Sequence, residues 1–141
     1  MYQKMFPAKL QSLHEMLDFI QAFGEKVHMS TSRLNQMIVA AEEALVNIID
    51  YGYPNKKKGT IHILCEESAN QKGITIIIKD QGVPFNPIKQ APPFRPPPLV
   101  EGGEPDLFLG GYGIYLLTQL MDKVDYQRLS DGNVLLLTKY I

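Results

Sequence analysis

Residues Ala41–Tyr53 read AEEALVNIIDYGY, and the phase of this stretch decides how the chain around it folds. Ala41, Leu45 and Ile48 recur at three- and four-residue intervals, which predicts a helix with one face turned to a core. Glu43 and Asn47 are four apart, so they lie one turn from each other on the opposite flank. A carboxylate there can take a proton or order a hydrated cation, and an amide oxygen can ligate a hard metal such as magnesium. A solvated polar stripe on an amphipathic helix has the same spacing. The residues that separate the two readings lie downstream.

Working back from this stretch, Leu34, Met37 and Ile38 carry the same apolar phase toward the N-terminus, and Ser30-Thr31-Ser32 offers N-cap candidates. Ala40, a turn before Glu43, is expected to leave room beside the polar pair. Further back, Leu10, Leu13, Met16, Leu17, Ile20 and Phe23 predict an amphipathic helix from Lys9 onward, with Gly24 near its end, where glycine commonly relieves the strain of a C-cap. Tyr2–Phe6 reads as a short first strand, ended by Pro7.

Working forward, Pro54 stops the helical run. Thr60–Glu66 reads as a strand, and Ile74–Asp80 as its hairpin partner across a turn at 70–73. The period of two sends Ile74, Ile76, Ile78 and Asp80 to one face. Either Asp80 is a carboxylate at the end of a buried row, where it needs donors, or the strand ends there in water. Eight of the ten prolines then fall between Pro84 and Pro105. Such a segment is neither helix nor central strand. Structureless connections beyond about 12–15 residues inside a compact domain are usually functional lids or disordered. This one ends in GGYGIYLL (110–117), where Ile114, Leu117, Leu120 and Met121 resume helical spacing. Glycines at a helix N-terminus bring unpaired N–H groups and the positive end of the dipole close to an anion. Two strands follow, Lys123–Leu129 and Val134–Tyr140, joined by a turn at 130–133.

The order of strand, two helices, hairpin, long loop, helix and hairpin predicts an α+β fold, a two-layer sandwich of mixed, mostly antiparallel sheet with helices on one face. At 141 residues the chain is expected to form a single domain. A net charge of −1 with no basic block beyond Lys56–Lys58 argues against direct nucleic-acid or anionic-membrane binding. The lone Cys65 excludes an intramolecular disulfide and reads as a packed side chain. No signal-peptide or membrane-length apolar run occurs, so the expected location is cytoplasmic. GxxxxGK[ST] is absent, GYGIYL lacks the third glycine of a dinucleotide fingerprint, and there is no HRD or DFG.

Three segments in order do match a known pattern: EEALVNIIDYGYP, DQGVPFNP and GGYGIYLLTQLMDKVDY. Together they resemble the three boxes of the GHKL (Bergerat-fold, histidine-kinase-like) ATP-binding superfamily. The closer match is to the small bacterial anti-sigma factors that are serine-protein kinases, and the resemblance spans nearly the whole chain. It implies that Asn47 holds Mg2+ against the phosphates of ATP and that Glu43 is the general base. Asp80 would accept a hydrogen bond from the adenine amino group, with Gly82 keeping the backbone clear of the base. Gly110, Gly111, Gly113 and Ile114 would open the helix that meets the phosphates, and the proline-rich segment at about 85–109 would be the ATP lid. Tyr51 stands where many of these kinases carry a histidine, and Lys89 and Arg95 are the only cations of the lid.

The resemblance further implies a kinase that phosphorylates a serine on a STAS-type anti-anti-sigma protein and sequesters a sigma factor or similar target, with a possible homodimer. The alternative is a nucleotide-gated interaction module that binds ATP and a partner without transfer. A gyrase-like clamp is disfavoured, since no room remains for a transducer domain.

Overall fold

The computed structural model describes residues 2–53, 59–68, 72–85 and 113–141, and of 113–116 the backbone. Strand β1 (Tyr2–Pro7) leads through a 3-10 turn (Leu10–Ser12) into α1 (Leu13–Lys26), followed by α2 (Thr31–Asn47) and a π-helical turn (Ile48–Gly52). Strands β2 (Thr60–Ser68) and β3 (Gly73–Asp80), helix α3 (Gly113–Leu120), and strands β4 (Lys123–Arg128) and β5 (Asn133–Tyr140) complete the order.

The five strands form one sheet in the order β1-β2-β3-β5-β4. All four neighbouring pairs are antiparallel, so the mixed sheet expected from the sequence is corrected to a wholly antiparallel one. The α+β class holds. One face of the sheet carries Phe6, Ile61, Ile63, Cys65, Ile74, Ile76, Ile78, Leu135 and Leu137, all buried with Met16, Ile20, Met37, Leu45 and Leu117 from the three helices. The alternation along β3 makes this row of isoleucines possible, and full burial of each stabilises the fold by about 1.5–3 kcal/mol. Cys65 belongs to this core, and burial pushes its thiol up to about 12, so it is an unreactive packed side chain.

Ser30 caps α2 as expected, its Oγ accepting from the Arg33 N–H at 3.3 Å. The end of α1 is different from the expectation. Gly24 is not the cap. Leu34 of α2 packs so closely that a Cβ on Gly24 would lie 2.5 Å from its Cδ1. The helix runs on to Lys26, and the left-handed position falls to His28, φ 61°. There Met29 N–H bonds Gly24 C=O and His28 N–H bonds Glu25 C=O, a Schellman closure without glycine.

Helix α3 packs beside α2 on the same face of the sheet. Its far end is held by Lys139 of β5, only 6% exposed, whose ammonium donates to the Leu120 carbonyl at 2.5 Å. A cation at a helix C-terminus complements the negative end of the dipole. Lys139 therefore anchors the helix that begins at Gly113.

Candidate functional site

Asn47 is the last residue of α2, and Glu43 stands one turn before it, both half-buried. The Asn47 Nδ2 donates to Glu43 Oε1 at 3.3 Å. The amide nitrogen is thus directed to the carboxylate, which leaves the amide oxygen as the acceptor for a hard cation. Burial pushes the Glu43 pKa up; the Asn47 bond opposes this, while the like charges of Glu42 and Asp50 add to it. A carboxyl moved toward neutrality is suited to general-base work. Ala40 does not open space beside the pair as expected, because it is fully buried in the core.

After Asn47 the chain widens into the π-helical turn, a feature found often at functional sites. The turn has a definite job here. It carries Gly52 and Tyr53 to the loop that follows Asp80. Val83 N–H donates to the Gly52 carbonyl at 2.9 Å. Gln81 N–H donates to the Tyr53 hydroxyl at 2.9 Å, and that hydroxyl donates to the Thr60 carbonyl. Tyr51, 56% exposed, stacks on Phe85 with ring centroids 5.1 Å apart. The first and second sequence motifs are thereby joined through backbone and aromatic contacts.

Asp80 ends β3 on the core face and is only 4% exposed, so the carboxylate is buried at the end of the isoleucine row. Its Oδ1 accepts from Gly82 N–H at 2.8 Å and from Asn133 Nδ2 at 2.9 Å. Both of these bonds fall on Oδ1, and among the described residues none is donated to Oδ2, which leaves that oxygen as the available acceptor. Burial raises the Asp80 pKa, and the bonds from Asn133 and Gly82 and the charge of Arg128 work against it.

Gly82 is required for a reason the sequence did not reveal. A Cβ there would sit 2.3 Å from the Gly52 carbonyl oxygen and 2.9 Å from Asp80 Oδ1. Gly82→Ala must therefore push the loop off the π-helical turn. Denaturant unfolding should show a loss of about 1–3 kcal/mol, as for other overpacked sites. Unchanged stability would mean that this close approach does not constrain the loop.

Gly113 is the first residue of α3, as the sequence predicts, and Ile114 follows it in the helix backbone. Gly110, Gly111 and the lid positions from 86 to 109, with Lys89 and Arg95, lie outside the described residues, as does Lys56–Lys58. Three contributors were missed by sequence reasoning: Asn133, Arg128 and Tyr53. Spacing in the sequence places the first two only in a turn and a strand. Their place beside Asp80 depends on β3–β5 and β4–β5 register, which no local spacing carries. Among the described residues, no three His, Cys, Asp or Glu side chains converge on a metal position. The available donor set is instead one amide oxygen, which suits magnesium, an ion that keeps several waters and leans on substrate phosphates.

The model of the histidine kinase-like ATPase domain family matches residues 6–139. The anti-sigma F factor of Clostridium novyi is 30% identical over 105 residues, covering 74% of this chain and 68% of that protein. The serine-protein kinase RsbW of Oceanobacillus iheyensis is 28% identical over 138 residues, covering 96% of this chain and 83% of the relative. A solved structure of the RsbU and RsbW domains of a Mycobacterium tuberculosis protein superposes with a TM-score of 0.63 at 10% identity. That superposition covers 99% of this chain and 32% of the other, and it bears on the fold alone.

Proposed function

This chain belongs to the histidine kinase-like ATPase domain family, in the branch of anti-sigma factors and serine-protein kinases, and on that premise we propose that it is an ATP-dependent serine-protein kinase of the anti-sigma type. The observation that carries the proposal is the pairing of two half-sites. The turn after Asn47 holds the loop after Asp80 through Gly52 and Tyr53, so a carboxylate–amide pair and a buried, donor-held carboxylate belong to one construction.

In this reading Asp80 Oδ2 accepts a hydrogen bond from the 6-amino group of adenine. The N-terminus of α3, from Gly113, meets the phosphates with its unpaired N–H groups, and Gly110, Gly111 and Ile114 are the further residues assigned here to nucleotide binding. Asn47 would hold Mg2+ by its amide oxygen, and the chemistry supplied by the bound ion would be neutralisation of the phosphate charge. Glu43 accepts the proton of the partner's serine hydroxyl as its oxygen attacks phosphorus, and ADP leaves. The Asn47 amide holds Glu43 Oε1 in place for that step.

The partners proposed are a STAS-type anti-anti-sigma protein as phosphoryl acceptor and a sigma factor, or similar target, as the sequestered protein. A homodimer, a single-domain organisation, a lid over 85–109 and a cytoplasmic location complete the reading. Among the described residues, no helix is long and apolar enough to cross a membrane.

Incubation with γ-labelled ATP, magnesium and a candidate STAS partner tests the proposal. Label on a partner serine is the expected result. Tight ATP binding with no label on the partner would replace the kinase by the nucleotide-gated binding module, for which the exposed Tyr51 in the first motif is the favouring feature.

A further inference from the structure

Asp80, the last residue of β3, is paired in register with Asn133, the first residue of β5, and both side chains lie on the core face. Asn133 is 5% exposed and fully engaged. Its Nδ2 donates to Asp80 Oδ1 and to the Val83 carbonyl, each at 2.9 Å. Its Oδ1 accepts from the Tyr126 hydroxyl and from Arg128 Nη1, the latter at 3.4 Å. These four neighbours fix which way the amide faces. Turned over, it would set its oxygen against a carboxylate and a carbonyl, and its NH2 against a guanidinium. Arg128 Nη1 also donates to the Gly82 carbonyl at 2.8 Å, so the same cation braces the loop whose N–H holds Asp80.

An ionised carboxylate can only accept hydrogen bonds, whereas a protonated one can also donate. A 6-amino purine offers a donor at this position and a 6-oxo purine offers an acceptor. The protonation state of Asp80 therefore decides which base it can recognise. Burial favours the protonated form, and the donors to Oδ1 favour the ionised one. Arg128 of β4 is the charged group acting on Asp80, and Tyr53, from the turn after α2, is held protonated by burial and by the Asp80 charge; Tyr126 of β4 meets the cluster through its hydroxyl on Asn133 Oδ1.

We propose that Asn133, braced by Arg128, is a positioning residue that keeps Asp80 an obligate acceptor and so sets a preference for 6-amino over 6-oxo purine nucleotides. This rests on the reading of Asp80 as the base-recognising carboxylate. Neither Asn133 nor Arg128 touches the base in this account; both act through Asp80.

The test compares Mg-ATP with Mg-ITP by calorimetry from mildly acidic to neutral pH. The ratio of affinities cancels titration of the triphosphate, which the two ligands share. In the parent chain the ATP preference should persist from neutral pH downward until Asp80 protonates. In Asn133→Leu, which keeps the volume but removes the donor, that loss should begin about one pH unit higher, a roughly tenfold smaller preference at a given pH on the slope. Arg128→Met should shift the profile in the same direction by less, because Arg128 is solvent-exposed and its charge is screened. It also carries the test alone if Asn133→Leu does not fold.

Parallel weakening of both nucleotides, with the ratio and its pH profile unchanged, would assign Asn133 a merely structural role and overturn the proposal. Asp80→Asn serves as the control. If it binds ATP as well as the parent does, the adenine reading itself fails. If it weakens ATP while the Asn133 and Arg128 variants keep the parental profile, only the present inference falls.

Discussion

In Glu43→Gln, phosphoryl transfer to the partner serine is expected to fall by about 10²–10⁴-fold, with ATP affinity nearly intact. Glutamine keeps the shape of the side chain and an oxygen for the Asn47 Nδ2, so the local hydrogen bond at the end of α2 need not break. What disappears is the capacity to take a proton. The pH dependence sharpens the assignment. Burial, first, and then the charges of Glu42 and Asp50 raise the Glu43 pKa, so the parent rate should climb with pH as this carboxyl ionises, starting above the range of an ordinary glutamate. The variant should lack that limb. Single-turnover transfer measured across pH decides the matter: an undiminished rate, or an acidic limb retained in the variant, removes Glu43 from the chemistry.

Much of this site is encoded by local periodicities, and what is not encoded locally was not readable. Residues 34–48 repeat at helical spacing, which is enough to set Glu43 and Asn47 one turn apart. Residues 74–80 alternate, which is enough to place Asp80 on the isoleucine face. Whether that end of the row is wet or buried depends on strands more than fifty residues later, since Asn133 reaches Asp80 only through β3–β5 pairing. The same holds at Gly82, whose lack of a side chain is demanded by the carbonyl of Gly52, thirty residues earlier. Gly24 shows a local rule overridden by packing. Glycine near a helix end suggests a C-cap, but Leu34 occupies the space that Gly24 leaves, and His28 takes the left-handed turn instead. The wholly antiparallel sheet follows from long-range pairing as well: β5 returns beside β3 only after residues 81–112, α3 and β4.

Asp80→Asn is expected to separate ligand binding from fold stability in opposite directions. On the ligand side, the substitution replaces a charged acceptor by a neutral amide, and hydrogen bonds to charged groups contribute about 1.5–3 kcal/mol. ATP affinity should therefore fall by about 10–100-fold, with the loss confined to the base-recognising end of the nucleotide. On the fold side the sign reverses. Burial raises the Asp80 pKa above its unfolded value, so this carboxyl favours folding when protonated. That contribution is fully present below the ordinary aspartate range and is lost as pH rises through the folded-state value. At neutral pH the unliganded parent thus bears an ionised carboxylate that is 4% exposed, and an asparagine of the same shape does not. Its oxygen can still accept from Gly82 N–H and Asn133 Nδ2, so the loop keeps its two donors. The unliganded variant should accordingly resist urea at least as well as the parent at neutral pH, and the advantage should vanish on acidification as the parental carboxyl protonates. Calorimetry with ATP and urea titrations at two pH values measure both halves. Equal ATP affinity in the two proteins would refute the adenine assignment. A variant less stable than the parent at neutral pH would show instead that the ionised carboxylate holds its loop more firmly than its burial opposes folding, and that Asp80 serves the fold before it serves the nucleotide.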